Sequence, residues 1–221
     1  MNIDNYRLEL RLESPVLVGS GEGWGSVIDT DVVFDDVGLP FIPARRVKGV
    51  LRESALELLE MFDFSGIAGY SKADLETAFG KSGSKEGGLF EINNLYLSDY
   101  PDVRDWCGWG IDNCPGTLSV DSVINCFTEE RSQTSLDQNG IAEDGSLRRS
   151  RVLKTGLLFS GAVRSCRENE AAVFLLALSC RNLKYIGTMR HKGLGRVNCG
   201  LYREAENITE KALQILKKGV A

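Results

Sequence analysis

From residue 6 to residue 13 apolar and charged side chains alternate without a break. Tyr6, Leu8, Leu10 and Leu12 fall on one side, and Arg7, Glu9, Arg11 and Glu13 on the other. Successive side chains of a strand point to opposite faces, so this segment reads as a strand with one buried and one wetted face. Two helical patterns follow. In 46–62 the apolar residues Val47, Val50, Leu51, Leu58, Met61 and Phe62 recur at helical spacing, and 170–182 is an apolar helix carrying Val173, Phe174, Leu175, Leu176 and Leu178. Further strands are expected at 27–34, 89–97, 117–124 and 152–163. A short helix is expected at 73–79 and a closing helix at 209–218, while 98–116 reads as irregular. This order predicts an α+β fold, an antiparallel sheet backed by helices in the ferredoxin-like β-α-β-β-α-β arrangement. It spans a single domain, 1–221, with an insertion at about 63–116 and a projecting hairpin at about 129–152.

Several chemistries are ruled down by what the chain lacks. No run of 18 apolar residues is present, which argues against a membrane span. The polar, alternating start does not read as a secretory signal, so the cytoplasm is expected. Six cysteines form no C-x-x-C pair and His191 is the only histidine. A structural zinc site, a His-based metalloenzyme and a Ser-His-Asp hydrolase are all poorly served by that set. The glycine run at 19–25 is G-x-G-x-G-x-G with no helix pattern after it, which does not suit a dinucleotide. Gly80-Lys81-Ser82 resembles the end of a phosphate loop, but Leu75 stands where the loop's first glycine is required.

The net charge is −5, yet three windows contain no acid: 41–52, 145–154 and 181–203. Together they hold 14 of the chain's 26 Lys and Arg residues. Such segregation predicts a basic groove on an acidic body, and polyanions bind at such a groove by releasing counterions. In the first window two prolines lead into a helix whose start carries Arg45, Arg46, Lys48 and Arg52. Cations beside free N–H groups at a helix start suit a phosphate. In the third, Gly193 and Gly195 allow close backbone approach, with Arg190, Lys192 and Arg196 to neutralise charge and His191 to stack on a base or donate to phosphate. The polar stretch 131–152 is too long for an idle connection; it reads as a hairpin, with Arg131 at its start and Arg148 on its basic return arm.

These segments together resemble the RAMP superfamily, and within it the repeated backbone subunit of type III CRISPR effector complexes. Gly38 to Arg52 is similar to the family's G-x-P-hydrophobic-I-P…K-G…R helix entry. Ala78-Phe79-Gly80 followed by Gly88-Leu89-Phe90 is similar to its F-G-then-strand segment. Residues 131–152 resemble its thumb, and Lys192-Gly193-Leu194-Gly195-Arg196-Val197 its C-terminal glycine-rich loop. The resemblance implies a modified ferredoxin-like fold akin to the RNA-recognition motif. It implies guide RNA and target RNA as partners, with further copies of the chain and other effector subunits, including a large polymerase-like one, in antiviral defence. It implies a metal-dependent endoribonuclease that cuts guide-paired RNA through its 2′-hydroxyl. Asp29 would be the catalytic acid and hold a divalent ion, magnesium being the one expected. Asp31 stands where the family has proline, which leaves two candidate catalytic acids. Arg45-Arg46 stands where small or hydroxyl residues are common, and the cysteine-rich element of some relatives is missing.

Three other readings stay open at this point. The chain would be a scaffold of the same assembly without nuclease activity, with Asp29 a turn acid. It would be a guide-maturation endonuclease using His191. Or it would be an unrelated phosphate-binding enzyme using the 19–25 loop, for which nothing downstream speaks.

Overall fold

The computed structural model describes residues 4–19, 31–67, 70–81, 87–135, 138, 140–141, 143, 145–167 and 169–219. The alternating segment is strand β1 (Asp4–Leu12), and it lies in the middle of the sheet. The other elements are β2 (Phe41–Ile42), α1 (Ala44–Ser65), α2 (Lys72–Phe79), β3 (Phe90–Ile92), β4 (Leu95–Leu97), α3 (Tyr100–Asn113), α4 (Val120–Phe127), β5 (Thr128–Gln133), β6 (Arg148–Leu153), β7 (Leu158–Ser165), α5 (Glu170–Asn182), β8 (Val197–Arg203), β9 (Glu206–Asn207) and α6 (Ile208–Gly219). The main sheet runs β2-β4-β7-β1-β8-β9, with β3 also on β7, and its pairings are antiparallel. Strands β5 and β6 form a separate two-stranded ribbon, the expected hairpin, with Gln133 opposite Arg148 and Thr128 opposite Leu153.

Leu8, Leu10 and Leu12 of β1 are buried, as are Phe159 and Val163 of β7 and Leu201 of β8. In register, Leu10 lies between Phe159 and Cys199. Helices α1 and α5 close over the same core. Val47, Leu51, Ala55, Leu58 and Phe62 repeat at one helical face and are buried. The two helices are pinned to each other by the Ser54 hydroxyl, which donates to the Ser179 carbonyl at 2.8 Å. Helix α1 stops at Gly66, whose φ of 70° supplies the left-handed cap.

Several sequence expectations change. Residues 100–113 form a helix, not an irregular segment. Pro101 is tolerated in its first turn, and Gly110 lets the Leu118 side chain pack close, since a Cβ there would lie 2.7 Å from its Cδ2. Residues 120–127 form α4, not a strand: Ser119 and Ser122 cap each other's backbone at its start, and Val123 and Ile124 are its buried side. The expected strand at 152–163 is two strands, β6 and β7, parted by a turn at Gly156 with φ 89°. Strands β3 and β4, from the interval read as an insertion, both pair with β7 in the main sheet. All six cysteines are unpaired, as expected of reduced thiols. Among the described residues no helix is long and apolar enough to cross a membrane.

Candidate nucleic-acid interface

The start of α1 breaks the usual charge rule. A helix N-terminus carries partial positive charge and is ordinarily matched by Asp or Glu. Here the first turn has no acid, and Arg45, Arg46 and Lys48 crowd it instead. An external anion would offset this charge. Arg46 lies on the wall of a cleft of about 210 Å³, with Gly49, Val50 and Glu53 on the same helical face and Leu10, Val18 and Ile42 also lining it. Arg45, Lys48 and Arg52 fall at i, i+3 and i+7 and make a neighbouring stripe on α1. Arg45 and Arg46 are exposed, and Lys48 and Arg52 half-buried.

The opposite wall is the glycine-rich loop, contributing Ile186, Gly187, Thr188 and Arg190. The first and third acid-free windows therefore meet across one groove. The loop is held by backbone bonds: Gly195 N–H donates to the Pro15 carbonyl, Ile186 N–H to Gly195, and Thr188 N–H to Leu17. Both Gly187 and Gly195 have positive φ, and a Cβ on either would lie 2.3 Å from a carbonyl oxygen, Leu17's or Ile186's. No other residue fits this crossing. Gly193 also has positive φ but faces open space. Arg190, His191 and Lys192 form an exposed single helical turn at the loop's tip. Arg196 is exposed too and is paired with Glu13 at 2.8 Å.

The hairpin is rooted against the same loop. Lys192 Nζ donates to Gln133 Oε1 at 2.9 Å, and Gln133 reaches the Met189 sulfur with its amide. Val152 at the base of β6 packs with Leu17 and Leu194 in a small buried cluster. Arg148, exposed, sits opposite Gln133 and so stands at the mouth of this junction, while Arg131 on β5 is paired with Glu129.

Asp29 lies outside the described residues. Asp31, the second candidate acid, is not among the residues that line the groove. It is buried, its Oδ1 accepts the Val32 N–H, and its Oδ2 accepts Arg151 Nη1, each at 2.8 Å. Burial holds its carboxyl above the usual aspartate range, against the pull of the Val32 N–H and the Arg151 charge. Arg151 was not among the sequence candidates. Its guanidinium lies 6.0 Å from the Phe34 ring centre, and its buried Nε has no acceptor among the described residues. Asp31 is committed to these internal contacts, and the described residues gather no group of three or more His, Cys, Asp or Glu that could hold a metal ion.

The sequence profile of the RAMP superfamily matches residues 9–198. No curated protein matches the chain in sequence. Among solved structures, a chain of "Cryo-EM structure of the Type III-B Cmr-beta bound to cognate target RNA" is similar with a TM-score of 0.63 and 13% identity, covering 91% of this chain and 97% of that one. A chain of "Type III-B Cmr-beta Cryo-EM structure of the Apo state" is similar with a TM-score of 0.63 and 14% identity, covering 89% and 96%. At such identity the likeness establishes a shared fold, a helix-backed antiparallel sheet of the expected class.

Proposed function

Because the chain belongs to the RAMP superfamily, we propose that it is an RNA-binding subunit of a type III CRISPR effector complex. Its partners are guide RNA, target RNA and the neighbouring protein subunits of that assembly. The observation that carries the reading is the meeting of Arg46 and Arg190 across one groove, with an acid-free α1 start on one side and a glycine-strapped loop on the other. Phosphates fit there by charge and by open backbone, without base-specific contacts. The bound cryo-EM relative, described with cognate target RNA, agrees with that use.

The test is a salt titration of single-stranded RNA binding. Log affinity falls linearly with log salt, with a slope of roughly −0.7 per phosphate contacted. Arg46→Ala with Arg190→Ala weakens binding to all sequences alike and flattens the slope by about 1.4. An unchanged slope would remove the groove from the RNA path.

Cleavage of guide-paired target RNA is the finer part of the proposal. The 2′-hydroxyl loses its proton and attacks the adjacent phosphorus. The 5′-oxygen departs, gains a proton and leaves a 2′,3′-cyclic phosphate. Asp29 is the acid assigned to this step by the family resemblance. Asp31 is assigned to the fold through Arg151. The second reading, a scaffold that binds without cutting, is favoured by the commitment of Asp31 to that ion pair.

A further inference from the structure

A cavity of about 660 Å³ opens between α5 and α6, larger than the cleft at the groove and sharing no residue with it. Its floor is Tyr6 of β1, on the same strand face as Leu10 of the cleft and four residues away, about 13 Å along the strand. The two walls of the cavity differ. On the α5 side Tyr70 and Phe174 stack as one broad aromatic surface, ring centres 5.2 Å apart and planes 4° from parallel. Glu170 stands one helical turn before Phe174 on the same face, exposed and with no cation paired to it among the described residues. The opposite wall, from the end of β8 and from α6, brings Arg203 and Lys211. Buried Tyr6 holds Arg203 in place: its ring centre lies 4.8 Å from the guanidinium, and its hydroxyl accepts Arg203 Nη2. Lys211 pairs at 2.7 Å with Glu206, and both are exposed. Ile215, one turn after Lys211, is 51% exposed and edges the cavity.

Flat rings with a carboxylate beside them, and cations across the open space, suit a ligand of matching layout. It needs a planar face, a hydrogen-bond donor at the edge of that plane and an anion at its far end. We infer that the cavity binds a free mononucleotide whose base carries an exocyclic amino group, such as AMP or CMP. The base lies against Phe174 and Tyr70, its amino group donates to Glu170, and its phosphate meets Lys211 and Arg203. A carboxylate accepts from such an amine but faces only another acceptor in the carbonyl of uracil or hypoxanthine. The volume falls in the range of small-molecule sites. Glu206 competes with the phosphate for Lys211 and so limits the affinity. Because no lining residue belongs to the groove, a strand lying there leaves the cavity open. The inference therefore does not rest on the proposed RNA-binding role.

The experiment is isothermal titration calorimetry of the full chain with AMP, CMP, IMP and UMP, without RNA. AMP and CMP bind about tenfold more tightly than IMP and UMP. Glu170→Gln narrows that preference, because an amide both donates and accepts. Lys211→Ala weakens every nucleotide alike, and Glu206→Gln tightens them. Phe174→Ala lowers affinity by about tenfold through lost stacking. Ile215→Glu, a change at an exposed position that sets an acid at the mouth, lowers it without disturbing the core. Arg46→Ala with Arg190→Ala leaves nucleotide binding unchanged. The inference is overturned if neither AMP nor CMP binds at millimolar concentration, or if the folded Glu170, Lys211 and Ile215 variants all bind like the wild type. It is overturned as well if Arg46→Ala with Arg190→Ala loses nucleotide together with RNA, since the groove would then be the site. Nucleotide binding that persists in a chain that fails to bind RNA supports the cavity, so the two readings fail separately.

Discussion

Arg151, on the return strand of the hairpin, closes a 2.8 Å ion pair with Asp31, a residue 120 positions earlier in the chain. The pair is buried, the Asp31 side chain at 3% exposure and that of Arg151 at 14%. It joins the root of the hairpin to the segment that Val32 bridges to Gly19.

Removing either partner leaves the other charge buried and alone. Asp31→Ala and Arg151→Ala should each destabilise the fold by about 3–5 kcal/mol. The double variant should cost clearly less than the two together. Urea unfolding of the four proteins measures this, and additive effects would show that the two side chains do not depend on each other.

Asp29→Ala should abolish cutting of guide-paired RNA in the assembled complex while leaving binding and the urea midpoint unchanged. Asp31→Ala should lower the midpoint first. Product analysis for a cyclic-phosphate end, with and without added magnesium or chelator, tests both the 2′-hydroxyl route and the expected metal. Undiminished cutting in Asp29→Ala would leave the scaffold reading.

Gly193→Ala and Gly195→Ala separate conformation from space. Both positions have positive φ, but only Gly195 has a carbonyl where the new Cβ would go. The first change should cost about 1–2 kcal/mol. The second should cost more, displace the loop from residues 15–17 and weaken RNA binding as well. Thermal melts and RNA titration of the two variants distinguish the outcomes.

Burial, the hydrogen bond to Asp35 and the nearby Asp35 charge push the Tyr100 hydroxyl up to about 12, from an ordinary value of 10.0. The folded protein therefore keeps this proton at a pH where the unfolded chain has lost it. Stability from this group is complete below pH 10 and is lost as pH rises from 10 towards 12. Urea midpoints across that window should fall in the wild type and fall less steeply in Tyr100→Phe.

Where one face of an element is buried and the other wet, the sequence announced it. The alternation of β1 and the helical spacing of α1 placed both elements with little error. Helix α3 was hidden because its buried side is short, its interior carries Gly108 and Gly110, and its outer side mixes tryptophan with acid. In α4, Val120, Val123 and Ile124 do recur at helical spacing, but β-branched residues in a short run also suit a strand. The groove was legible as charge and not as contacts. Of the four basic residues at the start of α1, Arg46 is the one that lines the cleft. Arg196 meets Glu13 because β1 and β8 are neighbours, which its own acid-free window could not reveal. Arg151, Gln133 and Thr188 owe their places to partners far away in the chain, and no local pattern marks them.

The position of β1 governs when this molecule can fold. It pairs with β7 on one edge and β8 on the other, so its partners begin at Leu158 and end at Arg203. During synthesis this central strand of the sheet leaves the ribosome before its partners and waits for nearly the whole chain with both edges unpaired. Such edges are templates for wrong pairing, and closing long loops first is slow. A ribosome stalled before β8 should therefore hold a nascent chain prone to aggregate or to engage chaperones, and completion of the last strands should release it as a folded protein.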